Sequence, residues 1–204
     1  DRGQIPSVPV ILDSPMATAA MAVCLKHPED QVLDSAFHGS MEPLLPRQFE
    51  AMASADESML ACMRSGPMIV ISASGMLSGG RILHHLKARL PHEENTVLFT
   101  GYQVEGSKGR YLQEQAVKEG NFRIHHEEIP VQAEVVTLHH LSSHVDQKDI
   151  ISYVERIRRL PKTVFINHGV PEAQVTLAKI LHDRFRIDAR PVCENAAVEL
   201  FGSR

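Results

Sequence analysis

Pro67-Met68-Ile69-Val70-Ile71-Ser72-Ala73-Ser74-Gly75-Met76-Leu77-Ser78-Gly79-Gly80-Arg81 is the stretch on which the fold turns. The apolar run 67–71 is too short for a helix and stops at Ser and Gly, the pattern of a buried strand. Past the Gly/Ser loop, Ile82, Leu83, Leu86 and Leu90 recur at helical spacing, which predicts a helix from about Gly80 to Leu90. The same succession occurs twice more. Pro9-Val10-Ile11-Leu12 predicts a strand, and Met16, Ala20, Val23 and Cys24 predict a helix over 15–27. Ser14 is a good cap for that helix, with Pro15 at its first position. Asn95–Thr100 predicts a third strand, leading through a Gly-rich loop over 101–110 to a helix from Tyr111 to about Glu119, which Gly120 stops. Three strand–loop–helix units predict an α/β fold: a Rossmann-like parallel sheet with helices on both faces.

The remaining chain carries weaker signals. Residues 28–48 read as irregular with a short helix, and 49–64 carry a helical pattern. Strands are predicted at 122–125 and 133–138, a helix at 147–160, a strand at 163–166 and a helix at 171–184, with terminal strands at 187–192 and 197–201. His125-His126 and His139-His140 are adjacent pairs on predicted strands. Adjacent strand residues point to opposite faces, so neither pair readily chelates one metal.

Bulk properties narrow the function classes. Of the 204 residues, 43% are hydrophobic and 23% charged, as in a globular protein. No apolar run approaches the ~20 residues of a membrane helix, so no membrane partner is expected. Cys24, Cys62 and Cys193 are widely spaced, which suits a reducing, cytoplasmic setting. The net charge of −4 provides no global attraction for nucleic acid, leaving only local positive clefts for that purpose.

Two loops have the composition of anion cradles. Exposed backbone N–H groups after a strand, at a helix start, favour phosphate. The first loop offers Ser72, Ser74, Gly75, Gly79, Gly80 and Arg81, and the second Gly106, Ser107, Gly109 and Arg110. Both leave strands running the same way, so they are predicted to lie side by side. Neither is a Walker loop or a G-x-G-x-x-G turn, and either is equally readable as a tight turn. Asp13 is read as a cap in preference to a ligand-orienting group. Tyr102 is read as packing in preference to a base stack, and His84 and His85 are not counted as ligands.

Two further histidines end apolar runs: His144 in Leu141-Ser142-Ser143-His144-Val145-Asp146, and His168 in Val164-Phe165-Ile166-Asn167-His168-Gly169. Imidazole suits both proton transfer near neutral pH and zinc binding. On spacing alone, two loop-end histidines held by local hydrogen bonds is the favoured reading over a shared site.

Several strings together carry a resemblance. Leu12-Asp13-Ser14-Pro15-Met16-Ala17 is similar to "LDSPMA" of the β-CASP nucleases, a branch of the metallo-β-lactamase superfamily. Ser74-Gly75-Met76, Gly79-Gly80-Arg81 and His84-His85-Leu86 resemble its "SGM…GGR…HHL". The stretch 101–110 resembles "GYQAEGTLGR", with Lys108 where Leu is usual. Leu141–Gln147 resembles "SAHAD", and Phe165–Ala173 resembles "HGEPEA".

The resemblance implies a zinc-dependent enzyme that hydrolyses RNA phosphodiesters. It makes residues 1–122 β-CASP domain and 123–204 the C-terminal segment of the metallo-β-lactamase domain. It makes His168 a zinc ligand and His144 a catalytic group that protonates the leaving oxygen or stabilises the transition state, with the two loops holding RNA phosphates. The family's HxHxDH string is missing here. The expectation is therefore a piece of a longer enzyme that carries two zinc ions when whole, the piece itself being inactive and without stoichiometric zinc. Association into a homo-oligomer is also expected, and internal and end-directed cutting both stay open. The alternatives are a non-catalytic RNA-binding or scaffold subunit of the same fold, or a Rossmann-type nucleotide-binding enzyme.

Overall fold

A computed structural model of the chain describes residues 6–27, 29, 45–138, 144–192 and 197. Contacts divide the chain into two compact units, 1–142 and 143–204. The fold is α/β, with parallel strand pairing in both units.

In the first unit, β1 (Val10–Asp13) lies between β2 (Phe49–Ala51) and β3 (Ile69–Ser72), and both pairings are parallel. Every residue of β1 is buried. A strand covered on both faces reads as a continuous apolar run, which is why Val10-Ile11-Leu12 was so legible. The register sets Asp13 opposite Ser72 and Leu12 opposite Ala51 and Ile71, so three C-terminal strand ends meet at one edge. Helix α1 (Pro15–Lys26) starts there. Ser14 is its cap, its Oγ accepting from the Ala17 N–H at 3.3 Å. The cap reading of Asp13 is thereby corrected.

The helical reading of 49–64 is also corrected. Phe49–Ala51 is a strand, and helix α2 (Ala55–Met63) begins only after a capping box of Ser54 and Glu57. A three-residue strand offers too few alternations to be seen, whereas Ser-x-x-Glu at 54–57 is the sequence mark of a helix start. Helix α3 (Ile82–Arg89) follows the first Gly-rich loop.

Strand β4 (Thr96–Phe99) pairs in parallel with β7 (Glu134–Thr137). Between them, α4 (Lys108–Tyr111) runs through a π-helical turn (Leu112–Ala116) into α5 (Val117–Glu119), which ends at Gly120 with φ +78°. An antiparallel hairpin of β5 (Asn121–Ile124) and β6 (Glu127–Pro130) follows. The sequence reading missed β6 and put His125 and His126 on a strand. They form the hairpin's turn, since Ile124 is opposite Glu127. Leu83, Leu86, Leu90, Phe99, Leu112 and Phe122 belong to the core that unites these elements.

In the second unit, α6 (Gln147–Glu155) starts at a capping box of Asp146 and Asp149. It ends well before the predicted residue 160. Strand β8 (Thr163–Ile166) pairs in parallel with β9 (Asp188–Pro191), linked by α7 (Pro171–Phe185). Val154, Ile166, Leu181 and Ile187 form its core. The predicted strand at 197–201 lies outside the described residues apart from Ala197, and the helix expected within 28–48 lies largely outside them.

Candidate functional site

The edge where β1, β2 and β3 end is organised by Asp13, which is fully buried. A carboxylate removed from water persists as a charge only if cations or hydrogen-bond donors surround it. Asp13 has both. Oδ2 accepts from Ser58 Oγ at 2.7 Å and from His85 Nε2 at 2.7 Å. Oδ1 accepts from Arg81 Nη1 at 2.8 Å, and the Asp13 carbonyl accepts from Ser72 Oγ at 2.9 Å. Burial alone would push the Asp13 carboxyl up, but the bonds from Ser58, His85 and Arg81 together hold it below its ordinary value. Burial pushes the His85 imidazole down, against the pull of Asp13, which favours its neutral form. With Asp13 accepting at Nε2, the neutral ring carries its proton there and leaves Nδ1 to face the Cys62 thiol at 3.5 Å. Burial, then the charge of Asp13, push that thiol up, away from the thiolate.

Arg81 is the outer member of this hub. Its Nη1 serves Asp13 and also the Met52 carbonyl, at 2.9 Å. Among the described residues the rest of the guanidinium has no partner, and the side chain is 19% exposed. Asp13 and the Met52 carbonyl thus hold one nitrogen, Nη1, of a planar donor and leave Nη2 and Nε available to an anion. Sequence reasoning chose Arg81 but passed over Asp13, Ser58 and His85. The signal was present: Asp13 ends a buried strand, and His85 sits at a core-facing helical position between Leu83 and Leu86.

The two Gly-rich loops touch, although β3 and β4 belong to separate sheets, β2-β1-β3 and β4-β7, and not to the single sheet expected. Gly109 N–H donates to the Met76 carbonyl at 3.1 Å. Within the first loop Ser74 and Ser78 hydroxyls bond to each other at 3.0 Å. Gly80 takes φ +84°, and a Cβ there would lie 3.2 Å from the Ala73 carbonyl, so this turn requires glycine. At Gly75, Gly79 and Gly106 a Cβ would meet open space. In the second loop Ser107 caps α4 by accepting from the Arg110 N–H at 3.1 Å, and the Arg110 guanidinium pairs with Glu114 one turn on. Gly109 presses on buried Gln103, where an added Cβ would sit 1.7 Å from Oε1. Tyr102 is mostly exposed.

Residues 1–112 match the family described as "Beta-Casp domain". The chain belongs to the β-CASP family. Residues 128–191 match a second description, "Zn-dependent metallo-hydrolase RNA specificity domain". Among curated proteins the chain is similar to Ribonuclease TTHA0252 of Thermus thermophilus, 33% identical over 87% of this chain and 40% of the relative. It is also similar to Transcription termination factor FttA of Methanosarcina mazei, 29% identical over 98% of this chain and 32% of the relative. The FttA of Thermococcus kodakarensis is 32% identical over 90% of this chain and 29% of the relative. The chain therefore spans about a third of the length of these relatives.

Both motif histidines of this β-CASP chain are exposed and lie in the second unit. His144 stands just before the capping box of α6. Leu141–Ser143, the start of its motif, lie outside the described residues, as do His139 and His140. His168 follows β8 with φ +67°, held by its N–H donating to Asn167 Oδ1 at 3.0 Å and by Gln174 Nε2 donating to its carbonyl at 3.1 Å. A non-glycine residue in this left-handed region is uncommon, His, Asn and Asp being the types that enter it most readily.

The second matched description names zinc. A catalytic zinc takes about three protein ligands plus water. Among the described residues no three His, Cys, Asp or Glu side chains come together to hold a metal. The described residues therefore do not fit a zinc centre by themselves.

Proposed function

We propose that this chain is the RNA-gripping part of a nuclease that hydrolyses RNA phosphodiester bonds. The observation that carries the reading is Arg81, held at Nη1 by a buried carboxylate and open at its other nitrogens, beside two interlocked Gly-rich loops. A preorganised guanidinium loses less entropy on meeting a phosphate than a mobile one. The similarity to a Thermus protein named as a ribonuclease supports RNA as the substrate. Ser72, Ser74, Gly75, Gly79, Gly80 and Arg81 form the first phosphate loop, and Gly106, Ser107, Gly109 and Arg110 the second.

In the reaction, a water oxygen bonds to phosphorus, the bond to the leaving oxygen breaks, and a proton reaches that oxygen. We assign the last transfer to His144, and to His168 the role of a metal ligand in the two-zinc site of the whole enzyme. Free Cys24 and Cys62 suit a reducing, cytoplasmic setting. The experiment is His144→Ala in the whole protein that carries this chain. Turnover of single-stranded RNA should fall roughly 10²–10⁴-fold, with RNA affinity and bound zinc unchanged. Wild-type turnover in the variant would remove His144 from the chemistry. A protein that binds RNA tightly but never cuts it would favour the non-catalytic subunit.

A further inference from the structure

A second basic feature of the first unit begins at the second Gly-rich loop, at Gly106, Ser107 and Lys108, and extends to the β5–β6 hairpin. A cleft of about 380 Å³ opens between the start of α4 and the β5–β6 hairpin. That volume lies within the ~300–1,000 Å³ of small-molecule sites. Ser107, Lys108, Arg123 and His125 line it, with the Tyr111 and Phe122 rings as its apolar wall. The two rings stack on each other with centroids 6.2 Å apart, so the wall is fixed.

The cations at this cleft are not held in close ion pairs among the described residues. Lys108 and His125 have no ion-pair or hydrogen-bond partner among the described residues, and Arg123 has only Glu128, at 3.9 Å and largely exposed. Of the other carboxylates nearby, Glu114 holds Arg110 and Glu127 holds Lys87, while Glu119 accepts from the Tyr111 hydroxyl at 2.6 Å and keeps its charge. Clustering cations in a chain of net charge −4 runs against the average field. His125 adds an independent sign. It takes φ +55° in the two-residue turn of the hairpin, where Gly or Asn would be relaxed. Strain of this kind persists where surrounding structure or function holds it, and here it turns an imidazole onto the cleft wall.

We propose that this cleft is a phosphate subsite for single-stranded RNA, with Lys108, Arg123 and His125 on the backbone and the ring wall beside a base. The subsite rests on the RNA reading above and extends the bound strand beyond Arg81. Cations at a cleft raise both affinity and its salt dependence, whereas aromatic walls tolerate any base.

The test measures anisotropy of a fluorescein-labelled oligouridine against the whole protein across a salt series. Replacing both cations, Lys108→Gln with Arg123→Gln, should weaken binding about tenfold. It should also flatten the log Kd against log salt line by about 1.4, at ~0.7 per single-strand phosphate contact. His125→Gly should weaken binding while raising the melting temperature, because Gly relaxes the turn. A purely structural role for His125 would not produce that opposition. Wild-type affinity and slope in the double variant would overturn the subsite and leave the RNA reading standing. No RNA binding by the wild-type protein would overturn both.

Discussion

The hub at Asp13 and the cleft at Lys108 use charge in opposite ways. At the hub, a buried anion meets a guanidinium, an imidazole and a hydroxyl at 2.7–2.8 Å, the hydroxyl from α2 and the other two from α3 and the cap residue before it. At the cleft, exposed cations face solvent with one distant carboxylate between them. Charge removed from water must be satisfied by the protein and so specifies geometry. Charge left in water costs little and remains available to a ligand. Arg81 belongs to both regimes, since one nitrogen is fixed inside and the side chain still reaches the surface.

The sharpest way to break the comparison is Asp13→Ala. It leaves Arg81, His85 and Ser58 donors in a buried site without their acceptor, and should destabilise the protein by about 3–5 kcal/mol in urea unfolding. A loss below ~1 kcal/mol would mean that the hub is no more structural than the cleft.

Gly109→Ala probes the packing beneath the second loop, on the side of the cleft. Its Cβ would fall 1.7 Å from Gln103 Oε1 and 3.3 Å from the Phe99 ring, so Gln103 must leave its buried place. We expect a cost of about 1–3 kcal/mol from overpacking, against ~0.5 kcal/mol or less for Gly75→Ala, which meets open space. Equal costs for the two would show that Gln103 yields freely.

Acid offers the finest resolution. His85 has a folded pKa below its ordinary 6.5, so the unfolded chain takes up its proton first as pH falls. The stability linked to His85 is full above about pH 6.5 and declines from there toward its folded pKa. Asp13, also depressed, contributes stability that is full above 3.8 and is lost as pH falls further through its folded value. In denaturant midpoints, wild type should lose more than His85→Gln between neutral and mildly acidic pH. Identical pH dependence in the two would exclude His85 as the group responsible.

The sequence revealed the parts of this fold that repeat a simple period. Val10–Leu12, Ile69–Ile71 and Val97–Phe99 are continuous apolar runs, and each lies in a strand, although Ile69 and Ile71 are exposed and not buried as expected. Short or locally ambiguous elements escaped. Phe49–Ala51 becomes a strand only because β1 lies beside it, and β6 alternates too weakly in Glu127-Glu128-Ile129-Pro130. The site was legible where composition betrays it, in the Gly/Ser loops and Arg81. Its hub was not, because nothing local to Asp13 shows that Ser58, Arg81 and His85 converge on it across dozens of residues. The cleft was hidden for a related reason: Lys108 and Arg123 become neighbours only once α4 and the hairpin share a core around Leu112 and Phe122.

Those long separations set when the hub forms. Asp13 meets partners 45, 68 and 72 positions away along the chain. Closing such loops costs entropy that only contacts already in place can offset. The local capping boxes and hairpin can assemble early, while the carboxylate receives its donors after β1, α2 and α3 have converged. Asp13 therefore acts as a latch on a nearly finished domain: it contributes little to the speed of folding and much to how slowly the assembled edge comes apart.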